Sequence, residues 1–381
     1  MPGETVFTNG KIVLEDRVVH GNVVVRDKFI AEVDESSSKI KTSINLNGDY
    51  LLPGLVELHT DNFEKHTNPR PGVRWPTESA LLAHDAQIIG AGITSVFDAI
   101  SVGDLRDDST RLHDLQEMVE ALSTARQTDA LRADHYLHLR CEVSCDRLPE
   151  MFMDLVTKSI VRLISMMDHT PGQRQFLDPQ KYKTYYANKW GKSISDIDSF
   201  ILHQREKGTD YSKANRKFVA DYCRNNRVPL ASHDDATSRH VEESVELGTQ
   251  ICEFPTTLTA AVAARKAGLE VIVGTPNLVC GGSHSGNVSA AQLASMGLTT
   301  ALSSDYVPLS LLQGVFLLTD AKIGISLPTS VSYASRVPAL AVGFEDRGHI
   351  ASNCIADLIR VRVLNNLPII AGVWRNGKRV S

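Results

Sequence analysis

Long apolar runs are missing from this chain of 381 residues: none reaches the about 18–20 needed to span a bilayer. The first residues, Met1 to Asn9, carry neither the basic stretch nor the apolar stretch of a secretory leader, so a cytoplasmic location is expected. Positive charge is not in excess, since 40 Lys and Arg face 45 Asp and Glu, a net charge of -5. A protein that holds nucleic acid by bulk electrostatics is normally basic, so that class falls away, and no membrane partner is expected. The six cysteines, Cys141, Cys145, Cys223, Cys252, Cys280 and Cys354, are scattered and show no zinc-ribbon spacing. They read as reduced thiols, mostly in the core. No G-x-G-x-x-G follows an early strand, which weakens a dinucleotide-binding sheet. Internal repeats and low-complexity segments are also lacking.

The composition that remains, 42% hydrophobic and 22% charged, is that of an ordinary globular protein able to bury a large core. The first 50 residues read as short β-prone runs punctuated by Gly10, Gly21 and Asp27-Lys28, and the last 40 echo them. Asp357 to Val363 alternates polar and apolar, and Asn376-Gly377 is a hairpin signal. Two β-rich ends around a different middle predict a small β-sandwich domain of residues 1–50 plus 341–381. Between them, apolar runs at 55–58, 93–97, 136–143, 161–167, 228–232, 250–254, 270–273 and 298–302 alternate with amphipathic stretches such as 78–89, 113–125, 212–225 and 260–267. Eight such repeats over 51–340 predict an α/β fold, a (β/α)8 TIM-like barrel, with a doubly wound sheet as the alternative. Residues 170–211 read as a long connection, the kind of loop that covers a site.

In a barrel the chemistry sits at the carboxyl ends of the strands. Those ends carry His59-Thr60-Asp61, Glu142, Asp168-His169, His233-Asp234-Asp235 and Ser304-Asp305. Strand alternation turns His59 and Asp61 to one side. Imidazoles and carboxylates on separate strand ends suit zinc, manganese or iron. Two divalent ions per chain would share Glu142 and activate a water, with Asp305 as ligand and general base. Each residue alone has a plainer reading. A strand-end histidine is more often structural, Asp234 and Asp235 stand where helix caps stand, and Glu142 has Arg140 two residues away. The joint pattern outweighs these. A second set points to an anion: Lys65, Arg70 and Arg74 in a loop stiffened by Pro69, Pro71 and Pro76, then Gln173, Arg174, Lys181 and Lys183. The run Gly281-Gly282-Ser283-His284-Ser285-Gly286-Asn287 offers backbone N–H groups to an oxyanion. Solvated surface charge is the plainer reading of the lysines.

The segment Pro53 to Asp61 resembles the first-strand signature of the amidohydrolase superfamily, with H-x-D in place of H-x-H. The ending, with Ala356-Asp357-Leu358 and Asn376-Gly377-Lys378, is similar to that superfamily's accessory domain. More narrowly, His59 to His66 with Pro69-Arg70-Pro71 and Trp75-Pro76, Met167 to Gln173, Ala231 to Ala236, Gly282 to Asn287 and Ser303 to Tyr306 resemble the PhnM family of the carbon–phosphorus lyase pathway. The resemblance implies hydrolysis of a ribose 5-triphosphate bearing a 1-phosphonate, releasing pyrophosphate. It implies metal on His59, Asp61, Glu142, His169, His233 and Asp305, and substrate near Lys65, Arg70, Arg74, Arg174, Gly282, Ser283, His284 and Asn287. The superfamily's usual bridging lysine after the fourth strand has no counterpart in Met166-Met167-Asp168; Glu142 resembles the glutamate that some members use instead. Its single histidines usually follow strands five and six, whereas His169 and His233 follow four and five here, which leaves His203 and Glu253 as reserve ligands. A C–N hydrolase on the same metals and a non-catalytic barrel are the rival functions. A homo-oligomer is expected, as for many barrels of this kind.

Overall fold

The computed structural model describes residues 3–36, 43–70, 72–104, 111–158, 160–171, 174, 183, 193–283 and 286–381, apart from the side chains of 111–113, 194–196, 203, 204 and 207. Five strands open the chain: β1 (Glu4–Val13), β2 (Val18–Arg26), β3 (Phe29–Asp34), β4 (Ile44–Asn45) and β5 (Tyr50–Pro53). Eight follow: β6 (Leu55–Thr60), β7 (Ile93–Val102), β8 (Asp134–Glu142), β9 (Val161–Met167), β10 (Leu230–His233), β11 (Ile251–Glu253), β12 (Glu270–Gly274) and β13 (Ala301–Ser303). Three close it: β14 (Leu358–Leu364), β15 (Leu367–Arg375) and β16 (Lys378–Arg379).

Strands from both chain ends share one sheet, in the order β16-β15-β14-β5-β1-β2-β3, with β4 also on β1. The link between the ends is the antiparallel ladder of β5 and β14, which sets Leu51 opposite Arg360. Alternation along the strands, with a register shift in β1 between Phe7 and Gly10, turns Phe7, Ile12, Val23, Val25, Ile30, Leu51, Leu358 and Trp374 into one buried cluster. Phe7 meets Trp374 edge to face at 4.9 Å between ring centroids.

The other eight strands form a parallel sheet in strict chain order, β6 to β13. A doubly wound sheet would reverse its order partway, so that alternative is excluded. A bridge between Thr60 and Asp305 brings the two outer strands together and nearly closes the barrel. Every residue of β6, β7, β10, β11 and β13 is buried, the signature of strands covered on both faces. Each of the eight apolar runs contains or overlaps one of these strands.

One segment departs from expectation. Helix Ile194–Asn226 runs for 33 residues and takes in the last part, 194–211, of the stretch read as a loop. Ile197, Ile201, Asn215, Arg216, Val219, Ala220 and Cys223 mark its buried side at helical spacing. The polar run His203 to Asp210 hides that continuity in the sequence. Among the described residues no further strand lies between β9 and β10, so His169 does follow the fourth strand and His233 the fifth.

By packing, the chain divides into two compact units. The first is Met1–Asp98, Ala121–Tyr136 and Val273–Ser381; the second is Ala99–Glu120 and Leu137–Ile272.

Candidate active site

In the first unit the exits of β6 and β13 are fastened to one carboxylate. Glu57, fully buried, accepts from the His59 backbone N–H at 2.8 Å, the Ser303 hydroxyl at 2.8 Å and the Ser304 N–H at 2.5 Å. Burial pushes its pKa up to about 7, against the lowering effect of these hydrogen bonds. Ser303 also donates to the His59 carbonyl at 2.8 Å. His59 itself is buried. The Thr60 hydroxyl donates to the Asp305 carbonyl at 2.7 Å, and Asp305 adopts a left-handed φ of 52°. Asp61 stands at the N-cap of helix Asn62–Thr67 yet makes no side-chain capping bond. His59, Asp61 and Asp305 therefore belong to neighbouring strand exits.

In the second unit Glu142, at the end of β8, accepts the Ser144 hydroxyl at 2.7 Å and holds His169 Nδ1 at 2.6 Å from Oε2. Burial works against a charge on His169, but the Glu142 carboxylate outweighs it and raises the pKa. His233, ending β10, lies 3.3 Å from Glu253 Oε2. Asp234 next to it is left-handed (φ 57°), and burial raises its pKa to about 6. Neither Asp234 nor Asp235 caps the next helix, because Thr237 does so, accepting from His240 N–H. The cap reading of the aspartates is thus replaced.

The loop residues are placed less uniformly. Lys65 donates to the Tyr306 carbonyl and its ammonium stands 4.9 Å from the Tyr306 ring centroid. Arg70 and Arg74 are exposed, and an antiparallel bridge joins Arg70 to Val73. Gly282, Ser283 and Asn287 are half-buried beside the left-handed Gly281 and Gly286. His284, Gln173 and Lys181, and the side chain of His203, lie outside the described residues. Lys183 pairs with Asp198 at 2.5 Å. Arg174 corrects the expectation of a cation offered to substrate. It is 2% exposed and its guanidinium is engaged by Asp235 and, at 3.2 Å, by Glu243. Burial beside the Arg216 charge lowers its pKa to about 10.

Sequence reasoning passed over several polar groups buried in the barrel wall. Glu57 lies within the Pro53–Asp61 motif, where nothing in the sequence singles it out. His138, inside β8, lies 2.8 Å from the Ser165 hydroxyl and 3.9 Å from Glu253 Oε1. Glu253, held in reserve, thus faces both His138 and His233. The signal was available: His138, Arg140 and Glu142 alternate on one face of a strand, with Leu137, Leu139 and Cys141 between and beside them on the other.

No family model matches the chain. The curated alpha-D-ribose 1-methylphosphonate 5-triphosphate diphosphatase of Escherichia coli (strain K12) is 44% identical over 376 residues, 98% of this chain and 100% of that one. Among solved structures, N-acetylglucosamine-6-phosphate deacetylase from Pasteurella multocida superimposes with a TM-score of 0.63 at 14% identity, covering 100% of both chains. A 5-methylcytosine deaminase from Klebsiella pneumoniae gives 0.66 at 13% identity, covering 99% of this chain and 98% of that one. These structures share the fold, that of the amidohydrolases. The full-length match at 44% identity goes further, and the chain belongs to the family of alpha-D-ribose 1-methylphosphonate 5-triphosphate diphosphatases.

Proposed function

We infer that this chain is a metal-dependent hydrolase of phosphonate catabolism. It cleaves alpha-D-ribose 1-methylphosphonate 5-triphosphate with water to the 5-phosphate and pyrophosphate. The observation that carries this is the 44% identity to a diphosphatase matched along its whole length. The fold, and imidazoles next to carboxylates at strand exits, one buried (His233) and one half-buried (His169), suit a divalent metal site. In our reading His59, Asp61, Asp305, Glu142, His169 and His233 hold two ions, of zinc, manganese or iron. Bound there, such ions supply charge neutralisation and a water acidic enough to act near neutral pH.

The chain's own groups do the rest. Asp305 takes the proton as water attacks the α-phosphorus and the bond to the bridging oxygen of the β-phosphate breaks. Lys65, Arg70 and Arg74 offset the charge that gathers on the departing pyrophosphate. The N–H groups near Gly282, Ser283 and Asn287, with His284, meet phosphoryl or phosphonate oxygens. Arg174 is assigned to hold Asp235 and Glu243 in place. We further propose a cytoplasmic homo-oligomer, with residues 1–50 and 341–381 as the small domain and 51–340 as the catalytic one.

The test is turnover of the ribose 5-triphosphate in ¹⁸O-water, followed by ³¹P NMR, with metal counted per chain. Pyrophosphate release with label in the ribose 5-phosphate and about two ions supports the reading. Label in pyrophosphate moves the attack to the β-phosphorus. An intact triphosphate, with amine freed from amide substrates instead, replaces the function with C–N hydrolysis.

A further inference from the structure

Beneath the helix that follows β6 lies a run of buried polar side chains that the hydrolysis does not use. Helix Thr77–Gly90 supplies His84 and Asp85, β7 supplies Asp98 and β8 supplies His135. None is more than 2% exposed. His84 Nε2 is 2.7 Å from Asp98 Oδ1, and His135 Nδ1 is 2.7 Å from Asp98 Oδ2. His135 Nε2 lies 3.4 Å from Asp85 Oδ1, which also accepts the Arg132 and Ala133 N–H groups at 2.9 Å. On the other side of His84, the Asn62 amide nitrogen is 3.3 Å from Nδ1 and donates to Gln87 Oε1 at 2.8 Å.

The ligand atoms of His84, Asp98 and His135 all lie within 4.8 Å of one another, as around a metal. Their spacing argues otherwise. Two ligands about 2.0–2.1 Å from one tetrahedral zinc stand roughly 3.3 Å apart, whereas these nitrogens and oxygens are at hydrogen-bond distance. Asp98 also gives each histidine a different oxygen. His135 has a carboxylate at each ring nitrogen, the setting of an imidazolium. Burial opposes its charge, but Asp98 and Asp85 outweigh burial and hold its pKa at about 9.

Asp98 accepts only, so His84 must donate from Nε2. Its Nδ1 is then an acceptor, and the Asn62 amide is the donor that meets it. Asn62 opens helix Asn62–Thr67, six residues without a side-chain cap, too short to hold its own geometry. Phe63 stacks on His84 with 5.6 Å between centroids and 12° between planes, and the His66 ring stands 5.8 Å away. Three of the six residues thus rest on one imidazole. The same helix carries Lys65 to the Tyr306 carbonyl, next to Asp305.

We propose that His84, locked as the Nε2–H tautomer by Asp98, is a positioning residue. Through Asn62 it sets the orientation of the Asp61–Thr67 segment, and so of the Asp61 carboxylate and the Lys65 ammonium. The inference rests on the reading of those two groups as metal and substrate contacts.

Asp98→Asn tests it at constant shape. Asp85 keeps His135 an imidazolium, a donor from both ring nitrogens, so the new amide turns its oxygen toward His135 and its NH₂ toward His84, which must then carry its proton on Nδ1, against the Asn62 donor. The expected result is a changed His84 tautomer in ¹⁵N NMR, zinc affinity of the metal-depleted chain weakened at least fivefold, and KM for the ribose 5-triphosphate raised at least fivefold. Adding Asn62→Asp supplies an acceptor opposite Nδ1 and should return both values toward wild type, a rescue that a merely structural role would not show. His84→Gln, which keeps an acceptor and a donor, should outperform His84→Leu on the same readouts. Unchanged zinc affinity and KM in Asp98→Asn, a double variant no better than the single, or loss of one bound ion in His135→Gln would each overturn the proposal. The tautomer and zinc affinity are read without turnover. A wild type that releases no pyrophosphate therefore sinks the functional reading alone.

Discussion

At the scale of single residues, the site combines groups of different legibility. The strand-exit acids and histidines stand out because unlike donor types recur at one topological place. Asp305→Asn is expected to keep bound metal while turnover falls by about 10²–10⁴, the range of a lost general base; metal analysis alongside kcat checks this, and an unchanged kcat removes the assignment. Arg70→Ala and Arg74→Ala should each weaken substrate binding by about 1.5–3 kcal/mol, the scale of a charge-assisted hydrogen bond to phosphate, read as KM. His135 gives a pH signature. Its folded pKa of about 9 stands above the ordinary 6.5, so its stabilisation is complete below pH 6.5 and disappears as pH rises through 9. Denaturant unfolding should show roughly 3 kcal/mol lost over that interval, and His135→Gln should flatten the slope.

At the scale of elements, strand periodicity was the strongest signal. Runs such as 161–167 are largely apolar and buried because helices cover the outer face of a parallel barrel and the strands' own side chains fill its inside. The missed part of helix Ile194–Asn226 failed for the opposite reason: its middle is polar, and only buried positions on either side reveal one axis. His84, Asp98 and His135 were invisible for a third reason. They lie on separate elements, and each alone reads as a polar residue in an apolar context. Local backbone demands are equally specific. Gly92 joins helix Thr77–Gly90 to β7 at a φ of 83°, and a Cβ there would stand 2.7 Å from the Ile370 Cδ1 and 3.2 Å from that of Ile359. Gly92→Ala should cost about 1–3 kcal/mol, from left-handed backbone and overpacking together. A thermal midpoint equal to wild type would show that β14 and β15 yield at no cost.

At the scale of the whole molecule, no helix among the described residues is long and apolar enough to cross a membrane. The proposed metals couple site to stability, since ions held only by the folded chain raise its unfolding midpoint. Chelation is expected to lower that midpoint and abolish pyrophosphate release together, and added zinc or manganese to restore both; a chelated chain that still turns over would end the metal assignment. The pairing of β5 with β14 has a consequence in time. Leu51 and Arg360 are neighbours in one ladder but are made far apart by the ribosome. At about 5–20 residues per second, the first strands wait roughly 15–60 s for their partners to be synthesised. Through that interval the apolar face of β1, β2 and β5 has no Leu358 or Trp374 to cover it. The nascent chain therefore passes a long window in which the beginning of its first sheet stands without the strands that complete it.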